Sequence, residues 1–129
     1  MSRFIALEKS VSFALRIVKL HKFLRDRYSE TVMSRQILRS GTSIGANLAE
    51  AKYGASKKDY LNKCRISLKE AGETSYWLFL LWQSGYIDDE QYASLYNDCE
   101  ELIKILHTIC QSGFAKIDIP EETEFDFYS

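Results

Sequence analysis

The sequence predicts an all-α protein, an antiparallel up-down-up-down four-helix bundle in one domain of residues 1–113 followed by an acidic tail of residues 114–129. Three observations carry this. Apolar residues recur every three or four positions along most of the chain, the spacing of a helix face, and no alternating strand pattern competes. Gly54, Gly85 and Gly113 punctuate that periodicity, while the one proline, Pro120, lies beyond it. The connections left between periodic stretches are short, which makes consecutive helices antiparallel neighbours. A chain of 129 residues can enclose a core without disulfides or metal.

The first helix is expected near residues 7–27. It carries two adjacent apolar stripes: Val11, Leu15 and Val18, and beside them Phe13, Ile17, Leu20 and Leu24. Together they cover an arc of about 200°, roughly twice what packing on a core requires. The second helix, near 30–52, turns Met33, Ile37, Gly41, Ile44 and Leu48 to one side. Glycine costs about 1 kcal/mol in a helix interior, so Gly41 and Gly45 predict close approach of a neighbouring backbone. The third helix, near 57–84, has the stripe Tyr60, Cys64, Leu68, Ala71, Ser75, Leu78 and Trp82, and Ser56 with Asp59 supplies its start signal. The fourth, near 89–112, repeats the pattern with Tyr92, Leu95, Cys99, Leu102, Leu106 and Cys110, opened by Asp88 and Gln91. Each of the three glycines is expected to end a helix in the left-handed conformation.

More apolar surface is present than one bundle needs. The end of helix three, Tyr76 to Trp82, is apolar nearly all round, with Trp77 and Leu80 turned away from the core stripe. Phe13, Ile17, Leu20, Leu24, Trp77 and Leu80 are therefore assigned to an interface between copies of the chain, a homo-oligomer. The alternative is that the tail folds back over the same patch.

Chemistry is hard to find. Di-iron bundles need Glu-x-x-His on two helices, and the only histidines, His21 and His107, do not follow a glutamate at that spacing. His107 and Cys110 share a helix face but form an incomplete metal site. Cys64, Cys99 and Cys110 fall on apolar stripes and read as free thiols packed as small apolar residues. Phosphate-binding glycine motifs are absent. No enzyme activity, cofactor or metal is expected. No apolar run approaches a membrane span and the N-terminus lacks a signal-peptide pattern, so a cytoplasmic location is expected.

Charge is the informative quantity. The net charge of −1 conceals 15 basic against 5 acidic residues in 1–69 and 2 against 13 in 70–129. Basic residues of helices one to three are candidates for binding structured RNA or DNA: helix one supplies Lys9, Arg16, Lys19 and Arg27, while Arg35 and Arg39 on helix two, and Lys58, Arg65 and Lys69 on helix three, are assigned the phosphate contacts. The alternative is that the charged residues solvate outer faces, or that basic helices pair with the acidic fourth helix and tail of a neighbouring copy, leaving a protein–protein scaffold without nucleic acid.

The segment Gln36-Ile-Leu-Arg-Ser-Gly-Thr-Ser-Ile-Gly-Ala-Asn-Leu-Ala-Glu-Ala51 resembles the signature of four-helix-bundle proteins encoded in intervening sequences of bacterial large-subunit ribosomal RNA genes. The runs Ser56 to Leu61, Leu68 to Leu78 and Gly85-Tyr-Ile87 are similar to that family as well. The resemblance implies a protomer that assembles into a pentameric ring. It extends to the accessory protein of diversity-generating retroelements, for which it implies basic surfaces that bind nucleic acid and a protein partner. Ser43, Asn47 and Glu50 within the signature are read as helix–helix or subunit contacts.

Overall fold

The computed structural model describes the backbone of residues 2–51 and 53–115 and the side chains of 5–51 and 53–112. The described residues form four helices: α1 (Ser2–Tyr28), α2 (Val32–Ala51), α3 (Lys57–Gln83) and α4 (Asp89–Ala115). The acidic tail discussed above lies, from residue 116 on, outside the described residues.

The helix ends follow from local chemistry. Ser29, at φ 55°, stops α1 without a glycine, and Glu30 N–H reaches back to Leu24 O at 3.1 Å. The Glu30 carboxylate then accepts from the N–H groups of Val32, Met33 and Ser34 at 3.2, 3.1 and 2.8 Å, opening α2. Ser56 caps α3 through Asp59 N–H at 3.2 Å. Asp88 and Gln91 cap α4 reciprocally, at 2.8 and 2.9 Å. Gly85 closes α3 at φ 84° as expected. Gly54 does not have a positive φ, and Gly113 lies inside α4, so neither is the left-handed stop that the sequence suggested.

Each helix packs on its two neighbours in the order α1–α2–α3–α4–α1, which leaves α1 and α3 on diagonal corners. Cross-helix contacts fix the directions: Arg16 with Asp98 and Lys9 with Glu101, Arg39 with Glu73 and Lys63 with Glu50. Residue numbers rise on one helix as they fall on the other, and so they do where Gly41 and Gly45 meet Ile17 and Ser10 and where Ala71 and Trp82 meet Cys99 and Tyr92, so every neighbouring pair is antiparallel.

The core repeats in steps of four and three. Buried positions are Ala6, Ser10, Phe13, Ile17, Leu20 and Leu24 on α1, and Tyr60, Cys64, Ser67, Ala71, Thr74, Leu78 and Leu81 on α3. On α4 they are Leu95, Cys99, Leu102, Leu106 and Ile109, joined by Cys110. This 3.5-residue period is that of left-handed knobs-into-holes packing. A strict 3.6 period had placed Leu68, Ser75 and Trp82 in the α3 stripe; the supercoil gives those places to Ser67, Thr74 and Leu81.

The α1 stripes correct the interface assignment. Phe13, Ile17, Leu20 and Leu24 are the core, none more than 7% exposed, while Val11 and Leu15 stand 51% and 60% exposed. Hydrophobicity does not separate the two stripes; α2 does. A Cβ on Gly41 would lie 2.9 Å from Ile17 Cγ1, and one on Gly45 2.9 Å from Ser10 Oγ, so those glycines admit the stripe carrying Ser10 and Ile17. Buried hydroxyls tie α2 to α3. Ser67 Oγ donates to Ile44 O at 2.8 Å, and the Ser40 and Thr74 hydroxyls share a 2.8 Å bond.

Candidate interaction surfaces

Part of the opposite charge is paired within the chain. On the α1–α4 seam Lys9 meets Glu101 at 3.1 Å, and Arg16 donates to Asp98 Oδ2 at 2.6 Å and to Ser94 Oγ at 2.9 Å. On the α2–α3 seam Lys63 meets Glu50 at 2.6 Å, and Arg39 reaches Glu70 at 3.1 Å and Glu73 at 2.5 Å. Trp77 Nε1 adds a 3.0 Å bond to Glu73. The Arg39 and Trp77 hydrogen bonds hold the Glu73 carboxyl below the usual carboxylate range, and the Glu73 bond raises the Arg39 guanidinium in turn.

The five basic candidates for phosphate contact are thus unequal. Arg39 is committed to two carboxylates, and Arg65 donates to Asn62 Oδ1 at 2.9 Å. Arg35, Lys58 and Lys69 are exposed. Lys58, Arg65 and Lys69 form one outward stripe on α3, opposite its buried heptad positions; Arg35 stands apart on the outer side of α2.

Aromatic rings continue the α3 stripe. Tyr76 and Phe79 are 55% and 46% exposed, although the sequence had pointed to Trp77 and Leu80. Those two are only partly exposed, because supercoiling rolls them towards α2 and brings Tyr76 and Phe79 outward. Trp82 stacks on Tyr92 at 4.3 Å with planes 4° apart, Phe79 meets Trp82 edge-on at 6.1 Å, and Tyr96 lies 5.4 Å from Tyr92. Between the basic and aromatic halves sits Gly72, whose missing Cβ would meet nothing within 4 Å. Other exposed apolar side chains are Val11 and Leu15 on α1, Val32 at the start of α2, Ile66 on α3, and Tyr28 and Tyr53 at the ends of α1 and α2.

The signature polar residues serve the fold. Ser43 Oγ donates to Arg39 O at 2.6 Å, Asn47 Nδ2 to Ser43 O at 2.8 Å, and Glu50 accepts from Lys63. The two former are bonds within α2, and the last is the helix–helix contact expected of the set. Among the described residues no group of three or more His, Cys, Asp or Glu could hold a metal ion, and no helix is long and apolar enough to cross a membrane. His107 is exposed while Cys110 is buried beside it, and His21 Nδ1 lies 3.3 Å from Ser34 O. Burial pushes the Cys99 thiol up to about 12, with Glu100 and Asp98 adding to the shift, so this thiol is un-ionised at neutral pH.

Residues 2–108 match the 23S rRNA-intervening sequence protein family. A protein of unknown function from the S23 ribosomal protein family of Bacteroides thetaiotaomicron VPI-5482, with a crystal structure at 1.70 Å, is 52% identical. The match covers 86% of this chain and 99% of that one, with a TM-score of 0.84. No curated protein is detectably similar.

Proposed function

Since the chain belongs to the 23S rRNA-intervening sequence protein family, whose solved relative is of unknown function, we propose that it is a non-catalytic subunit that assembles head to tail into a closed ring of identical copies. The observation that carries this reading is a pair of unlike apolar faces on diagonal corners. One is aliphatic, Val11 and Leu15 on α1; the other is aromatic, Tyr76 and Phe79 on α3. A two-fold dimer joins one patch to itself. Two different patches on opposite sides join heterologously, and such contacts close into rings when the rotation allows. Five copies is the number implied by the family resemblance of the sequence.

Light scattering on the purified full-length chain tests the reading. A single mass at three or more times 15.0 kDa, held over a hundredfold dilution, is the expected result. A monomer or a dimer at every concentration would refute it.

A second reading is favoured by the stripe Lys58, Arg65 and Lys69, with Arg35 exposed on α2: the ring carries structured RNA or DNA on its basic surface. Phosphate contacts release counterions, so binding should fall steeply with salt, and reversing these four charges should flatten the slope. Arg39 is omitted because Glu70 and Glu73 already neutralise it. Binding unchanged by the fourfold variant would remove this surface from consideration.

A further inference from the structure

Among the described residues, Gly72 has no contact that accounts for a glycine. It lies in the interior of α3, where glycine costs about 1 kcal/mol relative to alanine. Gly41 and Gly45 repay that cost by admitting Ile17 and Ser10, but at Gly72 an added Cβ would meet open space. Among the described residues nothing asks for a glycine there, so the close approach it permits is made by a group outside them.

We infer that the Leu15 side chain of a second copy packs onto Gly72, in one defined parallel register between α1 of one copy and α3 of the next. This rests on the ring reading above. In an up-down-up-down bundle α1 and α3 point the same way. A ring axis parallel to the bundle preserves that direction between neighbours, so the two helices meet in parallel. The most outward heptad position of α1 holds Glu8, Leu15 and Lys22, all exposed. The facing heptad position of α3 holds Arg65, Gly72 and Phe79.

Both sets step by seven residues, a rise of about 10.5 Å, so setting one pair sets the others. With Leu15 on Gly72, Glu8 falls opposite Arg65 and Lys22 falls opposite the exposed Phe79 ring. These contacts are an opposite-charge pair, a large side chain over a glycine, and a cation on an aromatic face. Sliding by one heptad in one direction sets Leu15 against the Arg65 guanidinium and Lys22 on Gly72. Sliding the other way sets Glu8 on Gly72 and leaves Lys22 beyond Phe79. Only the central register satisfies all three positions.

The test is a charge-swap cycle on the full-length protein, read as the dissociation constant of the assembly by light scattering and sedimentation. Glu8→Arg and Arg65→Glu should each weaken assembly about tenfold by setting like charges together, and the double variant should return to within about threefold of the original. Gly72→Leu should abolish assembly while the isolated protomer unfolds no earlier, because leucine is the better helix former. If both single variants assemble as the original does and Gly72→Leu still forms rings, this register is wrong although the ring stands. If the original chain is monomeric throughout, the ring reading itself has failed.

Discussion

Replacing Gly41 with alanine pits two effects of known size against one another. Alanine is the better helix former by up to about 1 kcal/mol, so on propensity alone the variant is stabilised. Its Cβ, however, would lie 2.9 and 3.0 Å from Ile17 Cγ1 and Cγ2 and 3.3 Å from Ile17 Cβ. Those atoms sit at the base of a fully buried, β-branched side chain, so rotation cannot clear them and α1 must move. Overpacking of this kind costs about 1–3 kcal/mol. The expected net loss is about 1–2 kcal/mol, or about 4–7 °C in Tm for a chain of this length. Ile17→Val does not relieve it, because both γ carbons remain. The assay is urea unfolding followed by helical circular dichroism, at fixed protomer concentration so that assembly does not enter the comparison. Ala46→Gly, at an exposed position of the same helix, calibrates the propensity difference. If Gly41→Ala proves as stable as the original, the close α1–α2 approach is not what the glycine serves.

Two further outcomes follow from the ionisable groups. Glu73 has a lowered pKa in the folded state, so its pairing with Arg39 stabilises above the unfolded carboxylate pKa and is lost as pH falls through the folded value. Because both side chains are more than a third exposed, the contribution is about 0.5 kcal/mol; comparing the original and Glu73→Gln should show a gap at pH 7 that closes as pH falls through the lowered carboxyl pKa of the folded state. With Cys64, Cys99 and Cys110 all buried, an aromatic disulfide reagent at pH 8 should label the native protein slowly and all three thiols at once in urea; immediate labelling of Cys99 in the native state would contradict its packing against Ala71 O.

The fold was legible because its signals are local. Ser56 and Asp88 open helices where their side chains meet the backbone, and Gly85 closes one by its own conformation. The end of α1 was legible to one residue although Ser29 adopts a left-handed conformation that serine seldom announces, whereas its start, expected near residue 7, lies at Ser2. The interface was misread for a different reason. Phe13, Ile17, Leu20 and Leu24 equal the neighbouring stripe in hydrophobicity, and the choice between them is made by Gly41 and Gly45 on another helix. A small change in period, from 3.6 to 3.5 residues, likewise moved exposure from Trp77 and Leu80 to Tyr76 and Phe79. The charge asymmetry between the two halves was visible, but not its partial cancellation across the α1–α4 and α2–α3 seams, which depends on which helices touch.

The two seams that hold α1 differ in kind. Towards α2 it is held by backbone proximity at two glycines, a contact indifferent to ions; towards α4 it is held in part by Lys9–Glu101 and Arg16–Asp98, pairs that water reaches. Concentrated salt therefore screens one edge of α1 and leaves the other shut. The same edge is the last to be made during synthesis, since Arg16 must wait for a residue 82 positions later. By then α1 and α2 can already be paired. Amide hydrogen exchange should accordingly rise with ionic strength first along α4, while the α1–α2 hairpin stays protected.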